Sequence, residues 1–229
     1  MGSIGRAGFA LLTIYSLWLI SFEMSSSQAQ VRPYYSDIGS ELAFFAVNTT
    51  MSVAFLAGAA LLLLFAGTAN PDQRDKGREF LLSQAALFAF LAADDRFQLH
   101  ERIGWRLGIG DHYVTFAWAL AELGLLAAYW RPALIPWRAT RLFLAGGALF
   151  TVSFLVDALA NGDALLRLSA EDLAKTWGAA MFFSFGWETA RFHLRTKAVP
   201  PPRVTAPMPC APGTEPAQAT TADEGRDRI

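Results

Sequence analysis

Cysteine is nearly absent. The one thiol, Cys210, lies in a polar stretch, so the chain can close no intrachain disulfide and carries no CxxC pair for metal or redox work. Histidine is scarce too, confined to His100, His112 and His193. No run of Lys and Arg is dense enough to follow a nucleic-acid backbone, and the formal net charge is −1. The chain holds no G-x-S-x-G elbow, no HExxH and no Glu-x-x-His pair, which removes the usual signatures of serine hydrolases, zincins and carboxylate-bridged di-metal centres. Proline is missing from every long apolar run: Pro33, Pro71, Pro132 and Pro136 fall between runs, and seven of the eleven prolines lie at or beyond Pro200.

What is present is apolar and unevenly distributed. Of the 229 residues 53% are hydrophobic and the mean hydropathy is +0.29. The apolar residues gather in runs of roughly 18–25, the length a helix needs to cross about 30 Å of hydrocarbon. Six such spans are predicted, at about 7–22, 41–66, 80–100, 112–130, 140–160 and 171–192. Long runs without proline favour helix over strand, and a membrane barrel would show short alternating segments instead. The fold class expected is therefore all-α, an integral membrane helical bundle over 1–197. No internal repeat is visible. From 198 to 229 Pro, Thr, Ala and Gly dominate and apolar periodicity stops, the pattern of a disordered tail.

The first run has two readings. Arg6, a short apolar core and "SSSQAQ" fit a signal peptide with a small-residue cleavage site after Ala29; the same residues fit a retained span. Either way the chain emerges outside before the second span. Lys and Arg give the orientation. With the N-terminus cytoplasmic, the inner segments carry Arg6, Arg74, Lys76, Arg78, Arg131, Arg138, Arg141, Arg191, Arg195, Lys197 and Arg203, eleven in all. The outer segments carry five: Arg32, Arg96, Arg102, Arg106 and Arg167. Both termini are expected inside, in the inner membrane of a bacterium, with the lipid bilayer as the main partner and no nucleic acid.

This topology brings the unusual ionisable residues to one leaflet. "FLAADDRFQLHERIGW" ends the third span with Asp94, Asp95, His100 and Glu101; Asp111 and His112 begin the fourth; Asp157 closes the fifth; Glu171, Asp172 and Lys175 open the sixth; Asp37 and Glu41 open the second. On one continuous helix Asp94, Phe97, Gln98 and Glu101 share a stripe, with Asp94 and Glu101 about two turns apart. His100 and Asp95 point elsewhere, so a compact site needs donors from neighbouring helices. Charges at wet helix ends cost little, and Asp95, Arg96, Arg102, Arg106, Asp111 and Asp172 each read first as solvated boundary residues. Asp94 follows LFAFLAA directly and is expected below the surface.

Two chemistries fit. Asp94, His100, Glu101 and His112 offer imidazole and carboxylate ligands suited to Zn, Fe or Mn, with Asp94, Glu101 and Glu171 as acid–base candidates acting on a lipid or other membrane-borne substrate. The alternative is a small proton- or ion-linked transporter, sensor or accessory subunit using Glu122 and Lys175. Glu122 falls near the middle of the fourth span, where a carboxylate costs about 2.5–3.5 kcal/mol on insertion scales and must be protonated, paired or beside water. Lys175 has Glu171 four residues before it, the favourable order for a helical ion pair. Asn48, Thr49, Thr50 and Ser52 read as hydrogen bonds between helices.

The run D-D-R-F-Q-L-H-E resembles the D-D/E-x-F-x-x-H-E motif of small bacterial polytopic membrane proteins of unknown function. The likeness covers mainly the third span and implies no activity. The compact bundle is also similar to the membrane hydrolases that include alkaline ceramidases and progestin-type receptors, which use seven spans and a site of three His, an Asp and a Ser. Here the spans number six, and His193 is predicted at the inner face, away from His100 and His112.

Overall fold

The computed structural model describes residues 3–26, 30–31, 34, 47–69, 76–130, 135–159 and 166–197. The described residues are helical, with no strand. In chain order the helices are α1 (Ser3–Ser25), α2 (Val47–Thr68), α3 (Lys76–Phe97), α4 (Leu99–Leu107), α5 (Asp111–Tyr129), α6 (Trp137–Leu159), a π-helical turn (Ser169–Leu173) and α7 (Ala174–Lys197). All belong to the compact unit Met1–Ala198. The tail expected from 198, and Asp37 and Glu41 before α2, lie outside the described residues.

Among the described residues three helices are long and apolar enough to cross a membrane: α1 from Gly5, α2 and α6. The other long helices, α3, α5 and α7, have 22, 19 and 24 residues. At 1.5 Å per residue each is about 28–36 Å long, enough to span hydrocarbon, but each carries charge within it.

Pairs of contacting residues give the helix directions. Gln84–Glu122 and Phe90–Trp118 make α3 and α5 antiparallel. Ser16–Trp177 and Glu23–Ser169 show α1 running opposite to the π-turn and α7. Gly146–Phe182 and Phe150–Gly178 do the same for α6 and α7. Gly58–Phe183 and Ala59–Gly186 make α2 and α7 parallel. The end of α1, the start of α2, the end of α3, all of α4, the start of α5, the end of α6 and the π-turn therefore gather at one end of the bundle.

The core explains why the backbones come so close. Leu56, Leu63, Phe80, Phe88, Phe143, Phe182 and Phe185 are buried together. Phe88 and Phe182 have ring centroids 4.9 Å apart, and Phe143 and Phe185 5.2 Å. Small residues lie opposite the rings. A β-carbon on Gly146 would come within 2.8 Å of Phe182, and one on Gly178 within 2.5 Å of Phe150. Helix association in lipid depends on such packing, because the tails are as apolar as the side chains.

The continuous helix expected over 80–100 is interrupted. Gln98 adopts a left-handed conformation (φ 52°, ψ 48°), which ends α3 at Phe97 and starts α4 in a new direction. The shared stripe of Asp94 and Glu101 is thereby lost. Gly108, at φ 66°, ends α4, and its N–H and that of Ile109 donate back to Trp105 and Gly104 carbonyls at 3.3 and 3.0 Å. Gly is the residue that takes this conformation at least cost. The link IGWRLGIGD is thus mostly helix.

Candidate functional site

Asp94 is occupied by the chain break just described. Its Oδ1 accepts the His100 backbone N–H at 2.8 Å, and its Oδ2 lies 3.0 Å from His100 Nδ1. One carboxylate thus satisfies an open N–H in the first turn of α4 and fixes the ring of the second residue of that turn. Burial works against a charged imidazole, but the Asp94 hydrogen bond and charge outweigh it and raise the His100 pKa above its ordinary value.

The four residues expected as one ligand set do not converge. Glu101 is exposed on α4 and accepts a hydrogen bond from Gln98 Nε2 at 3.2 Å. His112, on α5, turns to its own neighbour: its Nδ1 is 3.7 Å from Asp111 Oδ1, and its ring lies against Tyr113. Among the described residues no three His, Cys, Asp or Glu side chains come together in a group able to hold a metal ion. The break at Gln98 is the physical reason. It sends Glu101 to the outside of α4 while Asp94 stays under the turn.

Asp95, read from the sequence as a solvated boundary residue, is instead buried at the centre of the polar layer, its side chain only 4% exposed. Its Oδ2 accepts the hydroxyl of Ser52 from α2. Its Oδ1 lies 2.5 Å from Lys175 Nζ of α7, an ion pair. Asp95, Ser52 and Lys175 thus join three helices. One turn from Ser52, Asn48 is buried, and neither atom of its amide has a hydrogen-bond partner. Of the α2 polar residues expected to bridge helices, Ser52 does so through Asp95.

The Glu171–Lys175 pair read from spacing gives way to this arrangement. Glu171 sits in the π-turn and pairs back along the chain instead. Its Oε2 lies 3.4 Å from Arg167 NH2, which also donates to Asp157 Oδ1 at 2.9 Å. Lys175 stays within electrostatic reach of Glu171 while making its ion contact with Asp95.

Deeper in the bundle, Gln84 Nε2 of α3 donates to both oxygens of Glu122 on α5, at 3.0 and 3.1 Å. Gln84 is fully buried, and its own Oε1 has no partner. The mid-span carboxylate is thus held by a neighbouring helix.

Sequence reasoning missed Glu23. It is buried near the end of α1. Its Oε2 accepts the Ser169 backbone N–H at 2.9 Å and the Ser169 hydroxyl, while Oε1 is buried without a partner. The available signal was a lone carboxylate directly after the apolar run LWLISF. Trp177 Nε1 donates to Ser16 Oγ at 3.0 Å, tying α1 to α7 at a second level.

No curated protein and no solved structure matches this chain. Residues 7–189 match the family model described as a domain of unknown function, DUF8692, and the chain belongs to that family.

Proposed function

We propose that this protein is a six-span bundle of the bacterial inner membrane, both termini cytoplasmic, that couples proton or ion binding to a transport or sensing function. The alternating helix directions and the eleven-to-five Lys/Arg bias support the topology. The observation that carries the functional reading is the Asp95–Lys175 pair, buried where α2, α3 and α7 meet. Ionisable groups inside a membrane bundle are expensive and mark ion and proton pathways. Glu122, held by Gln84, is a second such group on α5.

The arrangement suits proton exchange. A proton arriving at Asp95 cancels its charge and releases Lys175, whose side chain is 29% exposed and reaches the polar end of the bundle. Loss of the ion pair loosens the joint between three helices, so occupancy of one proton site biases their packing. This is the form of coupling in which a ligand acts by its different affinity for two states. The test is charge movement. Purified protein in liposomes on a solid-supported membrane should give a transient current on a pH jump. Glu122→Gln and Asp95→Asn should each diminish it. A wild-type protein that gives no current above empty liposomes would refute the reading.

A second reading keeps Asp94 and His100 as an acid–base pair for a lipid or membrane-borne substrate, on the strength of their 3.0 Å contact. Its test is metal content and lipid hydrolysis by the purified protein. Loss of hydrolysis in His100→Gln with folding intact would favour it, and absence of hydrolysis in wild type would end it.

A further inference from the structure

The short helix α4 joins α3 to α5 at the polar end of the bundle, bounded at both ends by left-handed residues, Gln98 and Gly108. Its inner side carries Gly104, which is buried, and His100, which is tied to Asp94. Its outer side is unusual. Trp105 is 84% exposed, the most of any large apolar side chain among the described residues. At 100° per residue Arg102 and Arg106 lie about 40° apart around the helix, with Trp105 about 60° and 100° from them on one side, so an indole flanks a pair of guanidiniums. Among the described residues neither Arg102 nor Arg106 makes an ion pair, and both are exposed. Leu107, Ile109 and Tyr113, where the chain enters α5, are exposed as well.

The charge runs against the topology. In the six-span arrangement this is the outer side, which should be poor in Lys and Arg. Three of its five basic residues, Arg96, Arg102 and Arg106, fall within eleven positions, and the fourth, Arg167, is engaged by Asp157 and Glu171. A helix with apolar and basic residues on its open side fits the headgroup layer of a bilayer, where Trp rings settle at the interface and guanidiniums meet phosphate.

We propose that α4 is an interfacial helix that binds anionic phospholipid headgroups through Arg102 and Arg106, with Trp105 inserted between the lipids as its anchor. The proposal rests on the reading that this end of the bundle lies at a membrane surface, and it is independent of proton coupling. Asp94 has a part in it. By holding the first turn of α4 to the end of α3, it fixes that turn at the bundle end.

The test uses the full chain in detergent, titrated with phosphatidylglycerol or phosphatidylcholine of matched acyl chains and read by native mass spectrometry. Wild type should retain phosphatidylglycerol in preference. Arg102→Gln and Arg106→Gln should each weaken that binding roughly fivefold, and the double variant roughly 30-fold, at unchanged phosphatidylcholine binding and melting temperature. A double variant that holds phosphatidylglycerol as wild type does would overturn the proposal. So would displacement of the lipid by an equal concentration of inorganic phosphate, which would mark a site for free anion. In proteoliposomes, the fluorescence that Trp105→Phe removes should be quenched by brominated acyl chains; if only aqueous acrylamide quenches it, the helix stands in water and the anchor is refuted. Loss of lipid selectivity with pH-jump currents intact would leave the proton reading standing, and a chain that fractionates away from membranes would overturn both.

Discussion

Removing Lys175 should cost more than removing Asp95, although the two form one pair. Lys175→Met strands a carboxylate whose side chain is only 4% exposed, with Ser52 as its remaining hydrogen-bond partner. Stranding one member of a buried ion pair costs about 3–5 kcal/mol. Asp95→Asn takes this carboxylate from an ammonium that is 29% exposed, sits on a flexible stem that can turn to water and stays within electrostatic reach of Glu171. The asparagine carbonyl can still accept the Ser52 hydroxyl, so this change should cost only about 1 kcal/mol, the size of an ordinary net hydrogen bond. The double variant removes both charges and should recover to within about 1 kcal/mol of wild type, as replaced buried pairs often do. At about 2–4 °C per kcal/mol for a chain of this size, Lys175→Met should lower the melting temperature by about 6–20 °C and Asp95→Asn by about 2–4 °C. Thermal unfolding in one detergent, followed by tryptophan fluorescence, measures all three. An Asp95→Asn variant as unstable as Lys175→Met, or a double variant with no recovery, would show that the pair is not the buried joint described.

Reporter fusions after Lys76 and after Arg106 should report cytoplasm and periplasm respectively; the same answer from both would remove the six-span topology. The Asp94–His100 contact should make stability depend on pH. Because the folded His100 pKa is raised from 6.5, its contribution is complete below about pH 6.5 and is lost as pH rises through the folded value. Melting curves from pH 5 to 9 should show this decline in wild type and not in His100→Gln; parallel curves would count against it. Glu23→Ala should lower the melting temperature by about 2–12 °C, since it removes the buried acceptor of the Ser169 N–H and hydroxyl. Intact mass should show α1 still attached in the mature wild-type protein, and cleavage after Ala29 would contradict its place in the packing.

The helices were legible because apolar runs of spanning length and prolines between them leave few alternatives, and the single-ended gathering of polar residues follows from alternating direction. The side-chain partners were not legible, for specific reasons. Gln98 is an ordinary residue in a left-handed conformation, and nothing in "RFQLH" announces a break there. Without that break Asp94 and Glu101 share a stripe; with it they part. Lys175 looks like the partner of Glu171 from spacing alone, but Glu171 turns back to Arg167 and Asp95 of α3 takes Lys175. Asp95 looks like a wet helix end because spacing along one helix says nothing about which neighbour covers it. Glu122 was readable as a group needing a partner, but Gln84 lies 38 residues earlier in the chain, and only packing could identify it.

The tie between Glu23 and Ser169 has a consequence for how the chain is made. The two residues are 146 positions apart. At synthesis rates of about 5–20 residues per second, α1 leaves the ribosome roughly 7–30 s before its carboxylate's partner exists. Throughout that interval α1 must be held by lipid, by the insertion machinery or by transient neighbours. The helix made first is therefore among the last to be locked, and slow or paused translation just before α7 prolongs the period in which a helix long and apolar enough to cross a membrane carries an unanswered acid.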